Sequence, residues 1–152
     1  MNKPMTLIAA MILLCLFAGT EALAQKGMMW KGGGGWGAGT PYARLYNPNT
    51  LETIAGEVIS VEQITLGKNM SSGVHIVLKA DAEMISVHLG PLWYLENQDV
   101  KIEAKDKVEI KGSRITFEGK PAIIAKEVKK GDEVLMLRDE TGLAVWSGWR
   151  RR

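Results

Sequence analysis

Beyond Cys15 the sequence contains no cysteine, and Cys15 lies inside an apolar N-terminal run. A chain without further thiols has no disulfide framework, no thiolate nucleophile and no cysteine ligand for zinc or an iron–sulfur cluster. Cys-x-x-Cys-His is absent, which excludes covalent c-type haem. Also missing are a serine-centred elbow and a His-Glu-x-x-His helix, and the acids Glu57, Glu62, Asp81, Glu83, Glu96, Glu103 and Asp106 are scattered singly. Nothing therefore marks an enzyme. Apolar runs are short as well: Leu7 to Ala18 spans about a dozen residues, against the ~20 needed to cross a bilayer.

That run has its own meaning. Lys3 ahead of it and Ala22-Leu23-Ala24 behind it make residues 1–24 a secretion signal, cleaved near Ala24-Gln25. The expected product is periplasmic or otherwise exported, with no transmembrane anchor after processing. Its core must hold without staples.

Residues 25–48 are glycine-rich, with seven glycines from Gly27 to Gly39, and read as a flexible tail. Trp30 and Trp36 are unusual in such a stretch and are candidates for docking, by default on the domain itself, otherwise on a partner or a membrane interface. Lys26, Lys31 and Arg44 make the tail basic, and Arg150-Arg151-Arg152 form a basic C-terminus within a net charge of only +2. Peripheral contact with anionic lipid or an acidic partner is compatible with these ends.

Residues 49–149 carry short β-branched runs divided by turns: Thr53 to Thr65, Val74 to Lys79, Met84 to Leu89, Lys107 to Arg114, Ala122 to Lys129 and Glu133 to Arg138. One helical candidate, around Trp93 to Gln98, follows Gly90-Pro91. Three strands, a short helix and further strands predict an all-β protein, a small OB-fold-like barrel with one short helix. Gly56 is placed to bend the first strand, Trp93-Tyr94 to plug one end, and Trp146 to cover an edge beyond the Arg138-to-Gly142 turn.

The segments GEVISVE, GVHIVLKA, ISVHLGPLWYL, DKVEIKGSRITFEGKPAIIAKEV and LRDETGLAVW resemble a family of exported bacterial OB-fold-type proteins. They are similar to the domain shared by the magnetosome proteins MamS and MamX. The resemblance runs from about Asn47 to Trp146 and is densest at His88-Leu89-Gly90-Pro91 with Trp93-Tyr94. Relatives like MamX are associated with haem through the motif missing here.

Between Lys79 and Met84, a tight turn at Asp81-Ala82 sets Ala80 opposite Glu83 and His75 opposite His88. Strand alternation then sends Val74, Ile76, Leu78, Ile85, Val87 and Leu89 to the core. His75, Val77, Lys79, Met84, Ser86 and His88 take the other face. In an OB-fold this is the usual ligand face, flanked here by the loops Gly67 to Gly73 and Thr116 to Lys120. The candidate ligand-binding residues are His75, Val77, Ser86, His88 and Met70. The alternative is a copper or iron site built on His75, His88 and Met84, because directly opposed strand residues lie roughly 4.5–5.5 Å apart at Cβ. No aromatic beyond the histidines is expected on this face, which argues against nucleic acid.

Three readings follow. The first is an exported, non-catalytic binding module with a protein partner in the envelope. The second is a small metal-handling protein serving a redox system, and the third a structural envelope protein docking through its tail.

Overall fold

The computed structural model describes residues 35–68 and 70–148. Residues 1–24, read above as a secretion signal, lie outside the described residues, as do Trp30 and the C-terminal arginines. Six strands form one sheet: β1 (Leu51–Ile64), β2 (Gly73–Ala80), β3 (Met84–Pro91), β4 (Lys107–Phe117), β5 (Lys120–Lys130) and β6 (Glu133–Met136). All neighbours are antiparallel except β3 and β5, which pair in parallel through Ser86–His88 and Ala122–Ile124. That pairing closes five strands into a barrel-like ring, β1-β2-β3-β5-β4, with β6 added outside β5. The all-β, OB-type expectation is met, with strand ends within a few residues of those read from sequence.

Ring closure requires β1 to serve two neighbours. Leu51 to Glu57 pairs with β4, and Gly56 to Ile64 pairs with β2. Gly56 stands at the changeover, opposite both Ala80 and Val108, and an irregularity between Val58 and Ser60 adds further bend. Inward alternation fills the ring with Val58, Ile76, Leu78, Ile85, Val87, Ile110, Ile123 and Val128, all nearly inaccessible. After Pro91 comes a single helical turn, α1 (Leu92–Leu95), which buries Tyr94. Trp93 packs partly buried against the same core. Among the described residues no helix is long and apolar enough to cross a membrane.

The tail departs from expectation. From Gly35 onward it is not a free lead: Trp36, Tyr42 and Tyr46 are buried, and the chain makes 3₁₀ turns at Ala43–Leu45 and Pro48–Thr50. The Trp36 indole N–H donates to the Ser71 carbonyl at 3.0 Å. Its ring meets Tyr42 and Trp146 edge-on, at 5.2 and 6.4 Å between centroids. The Trp146 indole N–H in turn donates to the Trp36 carbonyl at 2.9 Å. Three buried aromatics and two indole hydrogen bonds hold this segment against the domain, a set of distant contacts that composition alone did not reveal. Trp36 is thus docked on the domain itself, the default expected of it.

Two glycines make room for the tryptophans. A side chain at Gly73 would overlap the Trp36 ring, and one at Gly90, where φ is +154°, would overlap Trp146. The two lie on neighbouring ends of β2 and β3, where Gly73 pairs with Pro91 and Val74 with Gly90. Replacing Trp146 by alanine is expected to lower unfolding free energy by about 3–5 kcal/mol. Gly73→Ala should cost about 1–3 kcal/mol by overpacking. Denaturant midpoints at unchanged slope check both, and a wild-type midpoint for Gly73→Ala would contradict the packing described.

Candidate functional site

The β2–β3 hairpin has the register that its turn length dictates. Ala80 N–H donates to the Glu83 carbonyl at 2.9 Å, Lys79 pairs with Met84, and His75 pairs with His88. The turn is tied down by Arg114, which binds Glu83 at 2.6 Å and Glu52 at 2.7 Å. These groups are about one-third exposed, so each pair adds little alone, but together they fix the hairpin to β1 and β4.

The two imidazoles lie side by side, 6.1 Å between centroids and 16° from parallel, in different environments. His75 is partly accessible and its Nε2–H donates to the Glu62 carboxylate at 2.7 Å. That bond, with a second from the Ser60 hydroxyl, holds Glu62 below the usual carboxylate range. His88 is only 3 % exposed. Tyr42 of the tail stacks on it and its hydroxyl meets Nδ1 at 2.9 Å, while Phe117 at the end of β4 abuts it edge-on at 5.1 Å. Burial, and secondarily the neighbouring His75, pushes the His88 pKa down to about 4, so the ring is neutral at ordinary pH. Burial also drives the Tyr42 phenol far above its ordinary value, keeping it protonated. The Tyr42–His88 contact is therefore a hydrogen bond between neutral groups.

A cleft of about 580 Å³ opens over this face. Ile64, Thr65 and Leu66 form one wall, Phe117, Glu118, Lys120 and Pro121 the other, and His75, Ser86 and His88 the floor. Three of the five expected ligand-face residues meet there. Val77 and Met70 do not line it; Met70 instead packs partly buried against the core. Met84 shares the β3 face with His88 but is four residues away, roughly 13 Å along the strand, and is 62 % exposed. It cannot share an ion with the histidines. Among the described residues no three His, Cys, Asp or Glu side chains converge on a metal position.

The expectation of a face without aromatics is corrected by Tyr42 and Phe117. Strand alternation could have put Phe117 near the face had β4 been read to its full length. No local signal announced Tyr42, which arrives from 46 residues upstream.

The model of the MamS/MamX magnetosome protein family matches residues 50–135, from the start of β1 almost to the end of β6. The chain belongs to that family. No curated protein matches it.

The histidine environment sets a pH dependence. The folded pKa of His88 is below that of the unfolded chain, so its contribution to stability is intact above about pH 6.5 and is lost as pH falls toward 4. Over that window the loss should approach about 3 kcal/mol. Unfolding free energy measured against pH, wild type minus His88→Phe, should show this slope; parallel curves between pH 6.5 and 4 would refute it.

Proposed function

We propose, from membership of the MamS/MamX magnetosome protein family and from the cleft, that the protein is an exported binding module of the cell envelope. In this reading it is associated with the magnetosome and has no catalysis of its own. The observation that carries it is the cleft's position, on the β2–β3 face between the β1–β2 and β4–β5 loops, where OB-type rings receive ligands. Its floor is preorganised, because Glu62 holds His75, and Tyr42 with Phe117 immobilises His88. Preorganisation lowers the entropy cost of binding. The sequence pattern of residues 1–24 supports export.

Site-specific photocrosslinking in magnetosome-forming cells tests the reading. A crosslinker at Thr65 or Lys120, on the cleft rim, should capture one defined envelope protein, and Ser86→Trp, which fills the floor, should abolish capture. Equal capture from Glu133 on β6 would sink the cleft as the docking site. The protein recovered from those cells should begin at Gln25 by intact mass.

A second reading, copper or iron handling in support of a redox system, is favoured by one detail. Glu62 accepts from His75 Nε2, as carboxylates orient metal-bound imidazoles, leaving Nδ1 as the ligating nitrogen. Titrating the mature chain with Cu²⁺ or Fe²⁺ should then give one equivalent bound, lost in the His75→Ala, His88→Ala double variant. Absence of stoichiometric binding ends this reading without touching the first.

A further inference from the structure

Among the described residues, one buried cation lacks an acid. Arg114 has Glu52 and Glu83. Lys126, buried along its stem, extends its ammonium to Glu140 at 2.8 Å. Arg138 is 4 % exposed, yet no carboxylate lies within ion-pair distance of it among the described residues. Its guanidinium sits over the Tyr46 ring at 4.7 Å and near the Trp146 ring at 5.7 Å. Among the described residues the guanidinium makes one hydrogen bond, from Nη1 to the Gly142 carbonyl at 3.1 Å, and its Nε has no partner there. The nearest acids in sequence are engaged elsewhere. Asp139 accepts from Thr141 and the Leu143 N–H, and Glu140 is committed to Lys126.

A buried, unpaired guanidinium is expensive: desolvation costs several kcal/mol, and two aromatic faces with one carbonyl return only part of it. Arg138 lines a cavity of about 350 Å³ between the tail and the C-terminal turn. Exposed Arg44 lines the same cavity and brings a second positive charge, with no ion-pair partner among the described residues. Gly37 and Gly39 let backbone approach a guest closely, and Ser147 adds a hydroxyl. The cavity shares no residue with the histidine cleft.

We propose that this cavity is an oxyanion site in which Arg138, stacked on Tyr46 and Trp146, and Arg44 receive the carboxylate or phosphate group of a small molecule. A planar guanidinium fixed by aromatic faces presents its donors in one plane, the geometry that pairs with oxyanions. The volume admits a small acid and not a folded partner.

The test uses the full mature chain labelled with ¹⁵N, following the Arg138 side-chain Nε–H signal. Acetate, succinate and inorganic phosphate are titrated separately, with chloride as the ionic-strength control. At least one oxyanion should give a saturable shift with a Kd of about 1 mM or tighter and raise the unfolding midpoint. Saturation by acetate or succinate but not phosphate assigns a carboxylate guest, and the converse a phosphate. Arg44→Glu, a surface change that leaves the fold intact, should weaken binding about tenfold or more. Arg138→Gln should abolish it; if that variant fails to fold, the Nε–H signal and Arg44→Glu still decide. No saturation by any of the three up to ~50 mM, shifts matched by chloride, or unchanged affinity in Arg44→Glu would each overturn the site.

Discussion

The seam between Trp36 and Trp146 holds the rest of the molecule in place. One indole N–H donates to the other tryptophan's own carbonyl at 2.9 Å, the rings meet edge-on, and Gly73 and Gly90 leave the space each occupies. The seam joins residues 110 positions apart, so it fastens both ends of the described chain to one end of the ring. Tyr94 of α1 completes it, 5.3 Å from Trp146. Such a contact closes a long loop, whose entropy cost grows only slowly with length. A few well-packed aromatics suffice to hold it.

Much of the remaining design follows from alternation of side chains along β2 and β3. A two-residue turn fixes the register, the register sets His75 against His88, and the ring's curvature turns their shared face toward the two flanking loops. Identical residues then receive opposite treatment. His75 is partly accessible and gains a carboxylate, whereas His88 lies beneath Tyr42 and Phe117 and is kept neutral by burial. Their chemical difference arises from what the tail covers, not from the strands that carry them.

This division explains what could be read from the residues. The strand positions, the Asp81-Ala82 turn and the histidine pairing follow from local periodicity and turn length, and the face on which the cleft lies from the OB-type arrangement those strands suggested. The burial of Trp36 and Tyr42 does not. Glycine content there signals high chain entropy, and only the distant surface made by Gly73, Gly90 and Ser71 outweighs it. Met84 is the opposite case: its spacing of four residues from His88 is itself enough to set it roughly 13 Å along the strand. Arg138 looked like the start of a turn, although its place between apolar Leu137 and a turn that leads back to Trp146 hinted at burial.

The tail links the two candidate sites through covalent proximity. Tyr42 caps His88, and Tyr46, four residues on, lies beneath the Arg138 guanidinium. Both contacts depend on the tail staying seated through Trp36. A tail that lifts would hydrate His88 and Arg138 together, relieving a buried cation while removing the aromatic cover from a neutral imidazole. Hydration favours release at Arg138, and apolar burial of Trp36, Tyr42 and Tyr46 favours seating.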